Sequence, residues 1–445
     1  MEGKLFSNKE LKRLILPLIF EQMLAMAVGL VDTIMVSSLG EAAISGVSLV
    51  DMINQLAIGV FAAMATGGAV VAAQYIGHRD KKKACESANQ LFFVAIGISL
   101  VIMIICLAFK HDILRLFFGS IDERVMKSAT TYFVISAISY PFLAAYNSGA
   151  ALFRAMSNSK ISLQISFVMN VINAVLNAVF IFGLHLGVAG AALASLIARA
   201  VAAIIISILL KKSQGVIHFV KLERPWIQKD MVKKILYIGV PNGLESGMFQ
   251  LGRVLVVSII SGFGTVQIAA NAVANNIDGL GVIPGSAMGL AMITVVGQCV
   301  GAGDYKQANY YIKKLMKITY GSIWILDGAI LLALPWILQW YHLSQDTIEL
   351  AWILIMIHNG CAMLLWPLSF VLPNALRASN DVKFTMCISV FSMWAFRILL
   401  SVILGKYFKM GAIGVWIAMI ADWIFRDICF VWRFISKKWQ KNKLI

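Results

Sequence analysis

Ionisable side chains inside long apolar stretches are the residues of this sequence whose types and positions indicate chemistry. A charged group is costly in hydrocarbon and is usually kept there because it binds a proton, an ion or a substrate. Ten ionisable residues in these stretches are candidates, namely Glu21, Asp32, Asp51, Arg199, Glu245, Arg253, Asp278, Asp327, Arg397 and Asp422. A carboxylate among them can exchange a proton, and with amide and hydroxyl oxygens around it can hold Na⁺.

Asp32 is the strongest of these candidates, because polar side chains from two other stretches are expected at its depth. Asp32 and Asn177 each lie six residues from the outer end of their stretch, and Asn173 lies ten residues from the same end as Asn177. Ser195 lies about eight residues into the following stretch. We therefore predict that Asp32, Asn173, Asn177 and Ser195 form a coupling site for H⁺ or Na⁺.

Four further residues are candidates for lining a substrate cavity, namely Glu21, Glu245, Gln250 and Arg253. Glu21 precedes Asp32 by 11 residues, which is close to three full helical turns, so both side chains are expected on one helix face. That face would line an aqueous cavity. A role of Glu21 and Glu245 in helix packing is an equally favoured alternative to a role in lining the cavity.

Other acids have interpretations that involve no ligand. Asp51, Asp278 and Asp327 lie near the ends of their stretches, where helix capping or interfacial solvation is the favoured interpretation. Asp422 precedes Arg426 by four residues, a spacing that favours an ion pair on one helix face.

The elements that carry these residues are predicted to be transmembrane helices. The chain is 60% hydrophobic and only 13% charged, with a mean hydropathy of +0.82. Backbone groups in lipid must be satisfied within the segment, so spans of about 20 residues must be helical. We predict an all-α polytopic membrane protein with twelve spans, which are 14–38, 46–76, 88–109, 128–153, 161–183, 187–210, 235–261, 273–300, 318–340, 351–376, 384–404 and 411–435.

An internal repeat groups these spans into two lobes. Pro17 and Glu21 recur as Pro241 and Glu245, and the same offset of 224 residues relates many further identities, including Gly40 to Gly264 and Asp80 to Asp304. Repeats of this kind are typical of secondary transporters. We predict two pseudo-symmetric six-helix lobes, with an N-lobe over 1–215, a cytoplasmic connector over 216–234 that contains Pro225, and a C-lobe over 235–445 that ends in a basic tail.

The distribution of charge predicts the orientation of the chain. The formal net charge is +16, and most of the 38 Lys and Arg residues fall in alternate connecting segments. By the positive-inside rule, both termini are expected on the cytoplasmic side of an inner or plasma membrane. Attraction to anionic lipids accounts for the excess charge, so membrane lipids are expected as partners and nucleic acid is not.

Several classes of function are disfavoured by motifs that the sequence lacks. The charged start and the long first span do not match a cleavable signal. The scattered cysteines include no CxxC pair, so neither disulfides nor a metal site is expected. No phosphate-binding GxxxxGK loop or HExxH motif is present. We expect no enzyme activity, no cofactor, and an ion gradient as the energy source.

The order and spacing of short motifs resemble the multidrug and toxic compound extrusion (MATE) transporter family over nearly the whole chain. The residues on which the resemblance rests are Pro17, Val31–Val36, Gln74–Gly77, Ala151–Ala155, Asn173 to Gly183, Gly187–Ala192, Gly239–Pro241, Gln298–Gly301 and Ala375–Ala378. The resemblance implies a V-shaped cavity between two bundles. It also implies alternating access driven by H⁺ or Na⁺, and the export of organic cations or other amphipathic compounds. We expect a monomer.

Residue by residue, the resemblance assigns the acid of the first span to Asp32. Members with a cation site in the N-lobe have Asn and Asp four residues apart on span five, where this chain has Asn173 and Asn177. The missing second acid favours H⁺ over Na⁺. Another branch of the family has a site in the C-lobe with acids on spans seven and ten. The corresponding positions here are near Phe249 and Trp366, which are not acidic, so the sequence does not support that C-lobe site.

Two other functions are alternatives to drug export. A lipid-linked oligosaccharide flippase of the same superfamily would need a strongly cationic cavity, whereas the spans carry more acids than arginines. An integral-membrane transferase would need an Asp-rich motif or paired histidines at a membrane face, and the sequence has neither.

Overall fold

The computed structural model describes residues 4–119, 122–212, 215–220 and 226–444, and all regular secondary structure among them is helical. Pro225 and its neighbours 221–224 in the predicted connector lie outside the described residues. The chain divides into two compact units. The N-terminal unit is Phe6–Gly243, and the C-terminal unit is Leu244–Ile445 with the residues up to Leu5.

The N-terminal unit is built from eight helices and the start of a ninth, as far as the described residues show. They are α1 (Asn8–Ser37), α2 (Glu41–Gly77), α3 (Lys81–Ala108), α4 (Lys110–Phe118), α5 (Glu123–Ile138), α6 (Tyr140–Ala155), α7 (Ser159–Ala178), α8 (Gly187–Lys212) and the first turns of α9 (Lys229–Ser261). Ser7 begins α1 with a capping box, in which its hydroxyl accepts from the Glu10 amide and its own amide donates to the Glu10 carboxylate.

The C-terminal unit continues α9 and adds a second series of helices. They are α10 (Thr265–Gly281), α11 (Ile283–Gly301), α12 (Tyr305–Gln339), α13 (Gln345–Trp366), α14 (Leu372–Ala378), α15 (Val382–Ser392), α16 (Leu400–Val402) and α17 (Gly411–Ile435). Wider π-helical turns link α13 to α14 at Pro367–Val371 and flank α16 at Met393–Leu399 and Ile403–Tyr407. Pro367 cannot donate the usual helical hydrogen bond, which accounts for the first of these turns.

The predicted spans coincide with helical segments, with two interruptions. Ten helices among the described residues are long and apolar enough to cross a membrane, and α5 with α6, bent by 48°, form an eleventh candidate. The predicted span over 273–300 is broken at Val282, two residues before Pro284. The last predicted span coincides with α17, which carries four ionisable residues.

The division between the two compact units lies inside α9, after Gly243, and the connector over 216–234 stays a prediction. The reason is close packing of the first turns of α9 on α2. A Cβ atom placed on Gly67 would lie 2.7 Å from the carbonyl oxygen of Ile235 and 2.8 Å from the backbone nitrogen of Gly239. Such an approach is possible only at glycine, so these turns belong with the N-terminal unit.

The internal repeat is visible in the turns between helices. Gly40 before α2 and Gly264 before α10 have φ values of 99° and 103°, which disfavour other residues. Asp80 caps α3 by accepting from the Lys83 amide, and Asp304 caps α12 in the same way from the Gln307 amide. The two copies therefore share the geometry of their turns.

Candidate functional site

Asp32 on α1 meets polar side chains of α7 and α8 inside the N-terminal unit. Asn177 Nδ2 donates to Asp32 Oδ1 at 2.8 Å. Asn173 and Asn177 lie one turn apart on α7 and are 6% and 2% exposed, whereas Asp32 is half-buried. The structure thus brings together the carboxylate and the two amides that were predicted to share a depth.

Asn173 links Asp32 to Ser195 of α8. With the amide nitrogen of Asn173 facing Asp32, it donates to the two carboxylate oxygens at 2.9 and 3.0 Å. Its amide oxygen then accepts from Ser195 Oγ at 3.0 Å and from the Ser195 backbone nitrogen at 3.3 Å. All four predicted coupling residues therefore form one hydrogen-bonded cluster, which we call the Asp32 cluster.

A second polar group in the same unit centres on Asp51 of α2. Asn54 Nδ2 donates to Asp51 Oδ1 at 3.2 Å, and the Tyr140 hydroxyl donates to Asn54 Oδ1 at 2.9 Å. Arg199 Nη1 donates to Ser139 Oγ at 2.7 Å. Asp51 lies several turns inside α2 and is half-buried, so the capping interpretation for this residue was wrong.

Glu21 and Glu245, the repeated glutamates, are both buried in ion pairs with arginines of their own unit. Glu21 accepts from Ser162 Oγ at 2.8 and 2.9 Å and lies 3.4 Å from Arg154 Nη1. Glu245 accepts from Arg377 Nη2 at 2.6 Å. This arrangement favours helix packing as their role, and contact with a substrate stays a prediction.

Arg253 and Gln250 lie on α9 in the C-terminal unit, Arg253 exposed and Gln250 half-buried. Arg253 lines a cavity of about 70 Å³ together with Asn271, Trp416 and Arg397. Arg397 also lies over the Phe249 ring at 5.4 Å. A substrate role for Arg253 and Gln250 stays a prediction.

The positions to which the resemblance assigned acids in other family members are aromatic here. Phe249 contacts Phe370 edge-on at 6.2 Å, and Trp366 stacks on Phe370 at 5.0 Å. Asp422 and Arg426 form the predicted i,i+4 pair at 3.1 Å, and both are buried.

Two other acids of the C-terminal unit lie in environments that differ from the prediction. Asp278 and Asp327 are 5% and 1% exposed, and neither caps a helix, so the capping or solvated interpretation was wrong. They lie near His358 and Asn359 of α13. The sequence indicated these acids only as charged residues within apolar stretches. It could not show that they meet, because their meeting depends on how three helices are rotated about their axes.

The fold and the buried polar groups define a polytopic helical membrane protein built as a repeat. Comparison with known proteins identifies the family. The MatE family model matches residues 17–179 and again 241–403, and these two matches are offset by the same 224 residues as the repeat. The chain therefore belongs to the MatE family of membrane transporters.

Two bacterial relatives illustrate the similarity in sequence. "Uncharacterized transporter YisQ" of Bacillus subtilis is 27% identical over 439 residues, covering 95% of this chain and 93% of the relative. "Probable multidrug resistance protein NorM" of Thermotoga maritima is 25% identical over 452 residues, covering 98% and 94%.

Solved structures show the same fold. A structure described as "Crystal structure of MATE in the bent conformation" matches with a TM-score of 0.88 at 22% identity, over 97% of this chain and 96% of that chain. A MOP superfamily transporter from Pyrococcus furiosus matches with a TM-score of 0.89 at 21% identity, over 98% and 97%. Both comparisons support the two-lobe helical architecture predicted from the repeat.

Proposed function

We propose that this transporter is a secondary antiporter that exports organic cations or other amphipathic compounds by alternating access in exchange for H⁺. The observation that supports this proposal is the Asp32 cluster, in which one carboxylate is held by two buried amides on a neighbouring helix. A lone carboxylate in an apolar span is a typical proton carrier.

The Asp32 carboxyl has hydrogen-bond partners in both of its charge states. An ionised carboxylate only accepts, and the amides of Asn173 and Asn177 supply donors. A protonated Asp32 also donates. Rotation of the Asn173 amide by half a turn then offers its oxygen to Asp32 and its nitrogen to Ser195 Oγ at 3.0 Å. Proton binding therefore needs no large rearrangement within the cluster.

Protonation changes how strongly α7 holds α1. Hydrogen bonds to an ionised carboxylate are about twice as strong as those between neutral groups. When Asp32 gains a proton, its bonds to Asn173 and Asn177 lose this charge assistance. In our proposal, protonation from outside loosens α1 from α7 and weakens substrate binding, and release of the proton to the cytoplasm restores the state that reloads with substrate.

The choice of H⁺ over Na⁺ rests on the composition of the cluster. It has a single carboxylate, because Asn177 stands where the resemblance assigns a second acid to members with a cation site. Among the described residues, no group of three or more His, Cys, Asp or Glu side chains is arranged to hold a metal ion. In our proposal the single carboxylate is matched to the charge of one proton, and Na⁺ stays the alternative coupling ion.

The substrate class is supported by the relatives and by the balance of charge in the spans. The Thermotoga maritima relative is named as a multidrug resistance protein. Acids outnumber arginines among the ionisable residues of the spans, which favours cationic cargo over phosphate-bearing lipids. We further propose a monomer in contact with membrane lipids, in an inner or plasma membrane and with both termini in the cytoplasm.

Transport in vesicles tests the proposal. Purified protein in proteoliposomes is given ethidium, a fluorescent organic cation, under an imposed pH gradient or an imposed Na⁺ gradient. We expect the pH gradient to drive wild-type transport, Asp32→Asn to abolish it, and the exposed-acid variant Glu41→Gln to leave it unchanged. Full gradient-driven transport by Asp32→Asn would contradict the assignment of Asp32, and flipping of a labelled lipid-linked sugar in place of ethidium transport would favour a flippase.

A further inference from the structure

Four polar side chains meet inside the C-terminal unit, at positions other than Phe249 and Trp366, to which the family resemblance assigned acids. They are Asp278 on α10, Asp327 on α12, and His358 and Asn359 on α13. Their exposed fractions are 5%, 1%, 8% and 0%. We call this group the Asp327 cluster.

The members of the Asp327 cluster form a connected series across three helices. Asp278 Oδ1 lies 3.4 Å from His358 Nδ1, and the same nitrogen lies 3.0 Å from Asn359 Oδ1. Asn359 Nδ2 donates to Asp327 Oδ1 at 3.2 Å. The two carboxyl groups are therefore connected through one imidazole and one amide.

The cluster has too few donors for two ionised carboxylates. Both oxygens of Asp278 and Oδ2 of Asp327 are buried without a hydrogen-bond partner. An isolated buried carboxylate costs several kcal/mol, and such groups become neutral instead. A bound proton or another cation would therefore stabilise these unpartnered oxygens.

The surrounding elements carry further charged groups, whose recorded partners lie outside the Asp327 cluster. Asp422 of α17 lies 3.1 Å from Arg426 Nε and 3.6 Å from Arg397 Nη1 of the π-helical segment Met393–Leu399. Asp427 accepts from Ser369 of the π-helical segment Pro367–Val371 at 2.6 Å. The α11 segment contributes no charged side chain, although Cys299 is titratable.

Two tryptophans of α17 enclose the imidazole of His358. Its ring lies 5.7 Å from Trp416 and 5.1 Å from Trp423, in both cases edge-on. These apolar walls disfavour a charged imidazolium, so His358 is suited to remain neutral.

The space in the cluster suits a proton better than a larger cation. A Cβ atom placed on Gly281 of α10 would lie 1.9 Å from Asp327 Oδ1 and 3.5 Å from Asn359 Nδ2. Glycine at this position lets the Asp327 carboxyl lie directly against the α10 backbone. Helix packing this close leaves little room for a cation and its ligands.

We propose that the C-terminal unit binds a proton of its own, on the carboxyl pair Asp278 and Asp327, with His358 as the neutral partner of Asp278. This inference rests on the proposed antiport and adds to it a second proton site, remote in sequence from Asp32. With both sites titrating in the cycle, two protons move for each substrate molecule.

Infrared spectroscopy of the full chain in lipid vesicles tests the site directly. Protonated carboxyl groups absorb in a C=O stretching region that is separate from the amide bands, so a pH titration follows them without any transport. Besides a band from Asp32, we expect wild type to show a second titrating carboxyl band that is lost in Asp327→Asn and reduced or shifted in Asp278→Asn. Glu349→Gln, an exposed acid on α13, should leave the band unchanged.

Four results would overturn the inference or its assignment of His358. An unchanged second band in either variant would exclude these carboxyls, and the absence from wild type of any titrating band beyond that of Asp32 would exclude a proton there. Loss of the band on adding Na⁺ at constant pH would assign the site to that cation. His358→Gln, which keeps the packing but cannot accept a proton, should shift the midpoint of the titration, and an unchanged midpoint would exclude His358 as a partner.

Transport stoichiometry separates this inference from the proposed function. In vesicles, wild type should move about two protons per ethidium, and Asp327→Asn should move about one while still transporting. If wild type shows no antiport but the infrared band behaves as expected, the proposed function fails and the proton site stands. If wild type antiport is present and the stoichiometry is the same in Asp327→Asn, the second coupling proton is excluded.

Discussion

Glu245 and Arg377 form an ion pair of 2.6 Å inside the C-terminal unit, and this pair is the counterpart of Glu21 with Arg154 in the N-terminal unit. The two glutamates are related by the repeat offset of 224 residues, and each arginine begins a similar stretch, Arg154–Lys160 in one lobe and Arg377–Lys383 in the other. In each unit the pair connects the first helix of the repeat to a later one. The repeated Pro-to-Glu spacing therefore marks a packing element that both copies retain.

Removing one partner of this pair should destabilise the protein. Glu245→Gln leaves the Arg377 guanidinium largely buried without its counter-charge, which costs about 3 kcal/mol. Thermal unfolding of purified protein in detergent should show a lower midpoint for Glu245→Gln and for Glu21→Gln. Glu349→Gln, which removes an exposed acid from α13, serves as the matched control, and equal midpoints for the control and Glu245→Gln would contradict a packing role.

Restoring a second carboxylate to the Asp32 cluster should change the coupling ion. Asn177 lies 2.8 Å from Asp32, so Asn177→Asp places two acids side by side, which favours a bound cation between them. We expect transport by this variant to become stimulated by a Na⁺ gradient, measured with ethidium in vesicles. Asn170→Asp on the same helix should show no such response. A variant Asn177→Asp without Na⁺ dependence would mean that cation choice is set outside the cluster.

Gly281 should tolerate no side chain. The Cβ atom of Gly281→Ala would lie 1.9 Å from Asp327 Oδ1, so α10 and α12 must move apart at a cost of about 1–3 kcal/mol. Gly321→Ala on α12, where the added atom meets nothing within 4 Å, is the control. Thermal unfolding should separate the two variants, and equal stability would show that the Asp327 carboxyl can turn away without loss.

The architecture and the Asp32 cluster could be predicted because both depend on distances along the chain. Apolar length predicts the helices, and the offset between copies predicts the lobes. Depth in the membrane follows from counting residues from the helix ends, and this count predicts that Asp32, Asn173, Asn177 and Ser195 share one level.

The Asp327 cluster could not be predicted in this way. Asp278, Asp327 and His358 lie on three helices with different starting points, and their meeting depends on how each helix is rotated about its axis. Packing sets that rotation, including the approach allowed at Gly281. The unit boundary within α9 likewise depends on contacts between helices, whereas the break at Val282 follows from the nearby Pro284.

The matching turns before α2 and α10 have a consequence for how this protein can be altered. Gly40 and Gly264 adopt nearly the same backbone conformation, and the aspartates that cap α3 and α12 make the same bond. Loop segments such as 37–41 and 261–265 should thus be exchangeable between the halves of the gene without loss of folding. The interiors of the spans should not be exchangeable, because the two halves differ there in functional residues. Asp32 of the first half, for example, corresponds to Val256 of the second.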